Sequence, residues 1–246
     1  WGSYTSIEEI FGIENQGGQP QAELWMGAHP NGCSNVETED GLISLSEFIS
    51  SDMTSTLSED TAQKYGELPF LFKVLAAERP LSIQVHPNRQ DAEIGYEQEE
   101  KRGTPISALC RNYKDSNHKP ELIYALTPFK AMNGFRCLDE ISTMLSIIDS
   151  VIVNDILKKS SKQTEPAFIK SVFIGLLSLE SEDRIAAIAS LTSYARAHST
   201  LPPFDLIKNL VAEYPDDIGV FSPLLLNVID LEPGEVMYLD ARTPHA

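Results

Sequence analysis

Basic residues are scarce in this chain. It has 19 Lys and Arg against 36 Asp and Glu, a net charge of −17. Nucleic acid is held by clustered Lys and Arg, so the composition excludes it as a partner. An anionic membrane surface is excluded on the same ground. A phosphorylated ligand would need a few local cations to overcome the general negative field. Long apolar runs are also missing. No stretch reaches the roughly 18 residues of a membrane span, and no signal peptide is visible. Cysteine is sparse: Cys33, Cys110 and Cys137 are odd in number and lack metal-type spacing, as expected of free thiols in a reducing cytoplasm. There is no initiating Met before Trp1, and the chain stops at Ala246, one residue past His245. Both ends lead us to expect an excised piece of a longer protein.

The 246 residues are 42% hydrophobic and 22% charged, ordinary for a globular protein of one large or two small domains. Residues 1 to about 40 mix Gly, Pro and polar residues around Ala22-Glu23-Leu24-Trp25-Met26, which reads as a short strand. From Ser44 to about Gly66 one or two short helices are expected, opened by Ser44 with Glu47 three residues on. Pro69 to Leu75 is almost continuously apolar, as in a strand buried on both faces. Further strands are expected over Leu81 to Val85, Leu122 to Leu126 and Lys130 to Arg136. Near Leu138 the period changes. Leu138, Ile141, Leu145, Ile148 and Ile152 recur three and four apart. The same holds around Phe168 to Leu179, Ile185 to Ala195 and Phe204 to Val211, giving four helical segments. Pro166 sits in the first turn of the second, Pro202-Pro203 precedes the fourth and Pro215 follows it. Strand character returns over Pro223 to Leu231 and Val236 to Leu239, joined by the turn Glu232-Pro233-Gly234-Glu235. The organisation expected is strands over 1–136, a helical insertion over 137–216, and returning strands over 217–246.

The chemistry is concentrated in three places. In an extended strand residues i and i+2 share a face, so Gln84 and His86 project together. Glu121 of His118-Lys119-Pro120-Glu121 offers a carboxylate, and His245 a second imidazole. Two imidazoles, one carboxylate and one amide oxygen suit a borderline ion such as zinc. Two polar ligands on one strand, followed much later by a turn, a strand and a His, is how cupin-type barrels place ligands on facing strands. Each residue also has a plainer reading. Gln84 and His86 fit an ordinary surface strand, and Glu121 fits an edge carboxylate paired with Lys119. His118 lies three residues from Glu121, so the two face opposite ways and His118 belongs near the site rather than on the ion. Lys73, inside an apolar strand, must either reach the surface or find a partner. Arg111, Lys114 and Lys119 form either a solvated loop or a basic rim over a phosphate. His29, in a turn, and His198, at a helix end where a cation suits the dipole, read as structural.

These motifs carry a family resemblance. Ala22 to Pro30, Leu68 to Lys73, Pro80 to Pro87, Arg111 to Asp115, His118 to Leu122, Ala125 to Phe129, Phe221 to Val228 and Thr243-Pro244-His245-Ala246 resemble type I mannose-6-phosphate isomerases, from end to end of the chain. The resemblance implies a cupin-type antiparallel β-barrel (jelly roll) with an inserted all-helical domain, the second barrel being absent. It implies one zinc ion per chain on Gln84, His86, Glu121 and His245, the set also reached from the residues. The activity implied is interconversion of mannose 6-phosphate and fructose 6-phosphate through an enediol(ate), by a cytoplasmic monomer. Trp1, Ser82, Lys73 and Lys119 would bind the sugar phosphate. The family's catalytic arginine lies beyond Ala246, so this piece alone is expected to be inactive.

Moving a proton between C2 and C1 leaves negative charge on oxygen, which a cation stabilises. One carboxylate offsets half of a zinc ion's charge, so such a site keeps its Lewis acidity. A base with a pKa near neutrality is also required, and Lys119, His118 and Lys73 are the candidates. Two other readings compete: a non-catalytic metal-binding cupin that holds a sugar or sugar phosphate, and a cupin oxygenase using iron. The oxygenase needs an open two-His, one-carboxylate face. This chain adds Gln84 and lacks the usual His doublet on the first strand.

Overall fold

Four two-stranded antiparallel ladders, joined by helices, make up the computed structural model, which describes residues 1–246. The chain divides into two units, Trp1–Leu81 and Ser82–Ala246. The expected class, antiparallel strands with helices inserted among them, is what the structure shows.

In the first unit, α1 (Ser6–Phe11) ends at Gly12, whose φ of +67° a side chain would strain. Strand β1 (Glu23–Met26) pairs with β4 (Phe72–Leu75), Trp25 opposite Lys73. Strands β2 (Asn35–Thr38) and β3 (Gly41–Ser44) form a hairpin. Ser44 then caps α2 (Leu45–Ser51) with the reciprocal box its sequence announced: its side chain accepts from Glu47 N, and the Glu47 carboxylate accepts from Ser44 N at 3.1 Å. Asp52 and Ser58 cap α3 (Met53–Leu57) and α4 (Glu59–Tyr65), so this stretch holds three short helices. The strand expected over Pro69–Leu75 is shorter and not buried on both faces. Phe70 and Phe72 are 64% and 59% exposed. Its only partner is β1, so the apolar run is one side of a narrow ladder rather than a central strand.

The second unit opens with an extended segment in place of the strand expected over Leu81–Val85; only Gln84 forms a bridge. Helix α5 (Arg89–Lys101) follows, capped by Asn88, whose side chain accepts from Asp91 N at 2.8 Å. Strand β5 (Glu121–Tyr124) pairs with β8 (Val236–Leu239), and β6 (Phe129–Phe135) with β7 (Leu226–Leu231). Ala125, Ala131, Leu231, Met237 and Leu239 form a small core against these ladders.

Between β6 and β7 the chain is helical: α6 (Leu138–Ser146), α7 (Val151–Ser160), α8 (Glu165–Leu177), α9 (Ser181–Ala197), α10 (Phe204–Glu213), a 3-10 turn (Ile218–Phe221) and α11 (Ser222–Leu225). Their periodic residues meet in one core. Ile141, Leu145, Ile148, Val153, Val172, Leu191 and Ile207 are fully buried, each contributing about 1.5–3 kcal/mol relative to exposure. Pro166 stands in the first turn of α8, where its missing N–H costs nothing. His198 caps α9, its Nδ1 2.9 Å from Tyr194 O and its ring stacked on Tyr194. Two expectations fail here. The period from Leu138 to Ile152 is two helices, because Ser150 starts a new one by accepting from Val153 N. Pro223-Leu224-Leu225 is a helical turn and not the start of a strand. All three residues are buried in the helical core, and a short apolar run does not distinguish the two states.

Candidate metal centre

The final residues, Pro244 to Ala246, lie between two other segments. On one side Gln84 and His245 exchange backbone hydrogen bonds of 2.8 and 2.9 Å. On the other, Met132 N donates to Ala246 O and Gly134 N to Pro244 O, at 2.8 and 2.9 Å, so Asn133 also faces His245. Residues directly opposed in an antiparallel pair share a face. Gln84, His245 and Asn133 therefore share one, and His86, two residues from Gln84, joins them.

A bulge in β6 makes this arrangement possible. The β6–β7 register shifts between Met132 and Phe135, where Gly134 has a φ of +69°. Asn227 Nδ2 lies 3.1, 3.2 and 3.1 Å from the carbonyl oxygens of Asn133, Gly134 and Phe135, satisfying groups that the bulge frees.

Glu121, first residue of β5, completes the cluster. His86 Nε2 is 3.4 Å from Glu121 Oε1, and His245 Nε2 is 3.2 Å from Glu121 Oε2. The two imidazole centroids are 5.1 Å apart, and the three donor groups lie within 4.8 Å of one another. His245 Nδ1 is 2.9 Å from Thr243 O. A carbonyl oxygen only accepts, so Nδ1 carries a proton and Nε2 is the ring nitrogen that faces Glu121. His86 Nε2 is buried and makes no hydrogen bond, although Glu121 Oε1 is 3.4 Å away. Burial, and then the Lys119 ammonium, push the His86 imidazole below its ordinary pKa. Burial acts to raise Glu121, but Lys119 and the two imidazoles outweigh it and hold the carboxyl below its usual range. Two imidazoles whose Nε2 atoms lie within 3.4 Å of one carboxylate, one of those nitrogens buried and unbonded, fit a divalent cation.

The other expected site residues are distributed as follows. Lys119 Nζ is 3.1 Å from Glu121 Oε1 and largely exposed, so the plainer ion pair and the cluster coexist on one carboxylate. His118 is exposed and outside the cluster. Ser82 is exposed, two residues before Gln84. Trp1 and Lys73 belong to the first unit. Trp1 is exposed, while Lys73 pairs with Glu23 at 3.4 Å and lies over the Trp25 ring. Arg111 is neither a solvated loop residue nor a basic rim. Its side chain is buried, pairs with Glu99 and Glu100, and donates to Thr104 O and Tyr113 O. Buried charges persist only when so paired. Sequence reasoning overlooked Asn133; a polar residue directly after the buried pair Ala131-Met132 was the available signal.

The profile of the phosphomannose isomerase type I catalytic domain matches residues 1–138, and that of the type I helical insertion domain matches 147–226. The chain belongs to the type I phosphomannose isomerase family. It is 47% identical to the mannose-6-phosphate isomerase of Escherichia coli over 247 residues, covering 100% of this chain and 62% of that protein. With the Homo sapiens mannose-6-phosphate isomerase it shares 35% over 244 residues, 93% of this chain and 55% of that one. The chain thus spans less than two thirds of these relatives. A crystal structure of the Salmonella typhimurium mannose 6-phosphate isomerase bound to fructose 6-phosphate and zinc superposes with a TM-score of 0.92 at 45% identity, covering 100% of this chain and 62% of that one. A zinc-bound holo mannose 6-phosphate isomerase gives the same TM-score, identity and coverage.

Proposed function

We propose that this phosphomannose isomerase family chain carries the zinc site of an enzyme interconverting mannose 6-phosphate and fructose 6-phosphate. Gln84, His86, Glu121 and His245 would hold one zinc ion. The observation that carries this reading is the convergence of two imidazoles from distant segments on the Glu121 carboxylate, with His86 Nε2 buried and unbonded. Gln84 enters the set through its backbone pairing with His245. When bound, the ion supplies Lewis acidity that stabilises negative charge developing on a substrate oxygen.

The remaining work falls to the chain's own groups. Lys119, exposed beside Glu121, would bind the sugar phosphate and is a candidate for moving the proton between C1 and C2, with His118 and Lys73 as the others. Trp1, Ser82 and Lys73 would contribute further substrate contacts. We place strands of the catalytic barrel at 1–136 and 217–246 and the helical insertion at 137–216. The β6–β7 ladder, whose strands flank the helices in sequence, supports that division. Three cysteines without a bridge support a reducing, cytoplasmic setting, and the enzyme is taken to act as a monomer. No helix is long and apolar enough to cross a membrane.

The test is a coupled assay of fructose 6-phosphate formed from mannose 6-phosphate by the intact protein, alongside elemental analysis. The expected result is one zinc per chain, with turnover lost to a chelator and restored by zinc. Metal and sugar-phosphate binding without turnover would instead establish the non-catalytic reading, and absence of zinc would overturn both.

A further inference from the structure

The loop that delivers His245 is tied to a helix by a charged fork. After β8 the chain turns over Asp240 to Thr243. Thr243 N donates to Asp240 O at 3.4 Å, and Ala241 N to the Asp240 carboxylate at 2.7 Å. The third residue of this turn is Arg242, with a φ of +64°. That position favours Gly or Asn, because a side chain in the left-handed region crowds the backbone. Arginine has no local means of relieving the conformation. Its guanidinium instead makes two parallel bonds to Asp91, Nε to Oδ2 at 2.7 Å and Nη2 to Oδ1 at 2.9 Å. Its backbone N–H donates to His86 O at 2.7 Å.

Each end of the fork is placed close to a proposed zinc ligand. Asp91 lies in the first turn of α5, held by the Asn88 cap, five residues after His86. Arg242 is three residues before His245. The backbone bonds between the two segments join 84 to 245 and 86 to 242. One segment therefore advances two residues while the other advances three, so the terminal segment carries one extra residue, as in a bulge. A bulge of this kind re-aims a side chain, and here it lies immediately beside His245.

We propose that the Asp91–Arg242 fork positions the two histidines: it holds Arg242 in its left-handed conformation and so fixes the separation of the His86 and His245 imidazoles. The proposal rests on the zinc reading above. Neither residue touches the ion, and both side chains are partly exposed. An exposed ion pair contributes little unless its geometry is bidentate and it anchors something else, and this pair meets both conditions.

The experiment measures zinc affinity and the visible spectrum of the cobalt(II)-substituted intact protein for the wild type and four variants. Asp91→Asn and Arg242→Gln remove the fork but leave a side chain at the strained position. Arg242→Gly removes both the fork and the strain. The exchange Asp91→Arg with Arg242→Asp restores the pair in reverse. The first two are expected to weaken zinc binding by about 3–10-fold, between the worth of an exposed ion pair and that of a group orienting a ligand. They should also alter the cobalt absorption bands. Arg242→Gly should lose less, and the exchanged pair should recover most of the affinity. Thermal unfolding of each variant shows whether it is folded, and the exchanged pair keeps the question open to test if a single variant is not. Unchanged affinity and spectrum in Asp91→Asn and Arg242→Gln, with a wild type that binds zinc, would overturn the fork's role alone. A wild type that binds no zinc would overturn the metal reading itself.

Discussion

The helical core and the candidate metal centre are built in opposite ways. The helices bury large aliphatic side chains at regular spacing, and their backbone groups are satisfied within each helix. The centre is a set of half-buried polar groups on segments joined by isolated bridges, a bulge and a charged fork. Stability in the first region is spread over many interchangeable contacts. In the second, geometry depends on a few named bonds, as expected of a region that holds a ligand rather than a core.

The largest predicted effect lies in the helices. Leu191→Ala removes a fully buried side chain and should cost about 2–5 kcal/mol in denaturant unfolding. Zinc stoichiometry of the molecules still folded should not change, and a parallel loss of metal would break the contrast between the regions. Gly95→Ala is next. Its Cβ would stand 2.4 to 2.6 Å from the Tyr113 ring, and displacing that ring should cost about 1–3 kcal/mol. Here the loss should appear as exposure of the 102–117 loop, read by hydrogen exchange, before the helices loosen. Asn227→Ala frees the carbonyls at the β6 bulge, at a cost of about 1–2 kcal/mol, and should weaken zinc binding more than any helix substitution of equal cost.

A pH dependence sharpens the comparison further. Backbone N–H groups of Tyr113 and Asn112, and then the Arg111 cation, hold the Glu99 carboxyl below its usual range. A group with a depressed folded pKa contributes fully above its unfolded value, about 4.3 for Glu, and that contribution is lost as pH falls through the folded value. Acidification below about pH 4 should therefore release amide protection at Asn112 and Tyr113, and Glu99→Gln should remove that step. The smallest effect on stability is expected from His86→Ala and Glu121→Gln. These should lower zinc content and turnover together while leaving the helical transition in place; unchanged metal content would remove them from the ligand set.

The same contrast explains what could be read from the sequence. Helix periods, the Ser44–Glu47 box and the placement of Pro166 depend on neighbours within a few residues, and these features stand in the structure. Helix α5 was missed because its buried face is Ala92, Gly95 and Glu99, with no large apolar residue to mark a period. Arg111 was misread because its partners Glu99 and Glu100 lie on α5, across an intervening loop, where no local pattern shows them. The approach of His86, Glu121 and His245 was visible in their motifs. What holds them there was not, since Asn227 beneath the bulge and the Asp91–Arg242 fork act across long stretches of chain.

Anomalous diffraction at the zinc edge, from crystals of the intact protein grown with zinc, tests the account most directly. It predicts one strong peak among His86 Nε2, His245 Nε2 and the Glu121 carboxylate, with the Gln84 side chain turned towards it. A zinc peak elsewhere in the molecule, with that position empty, would contradict it.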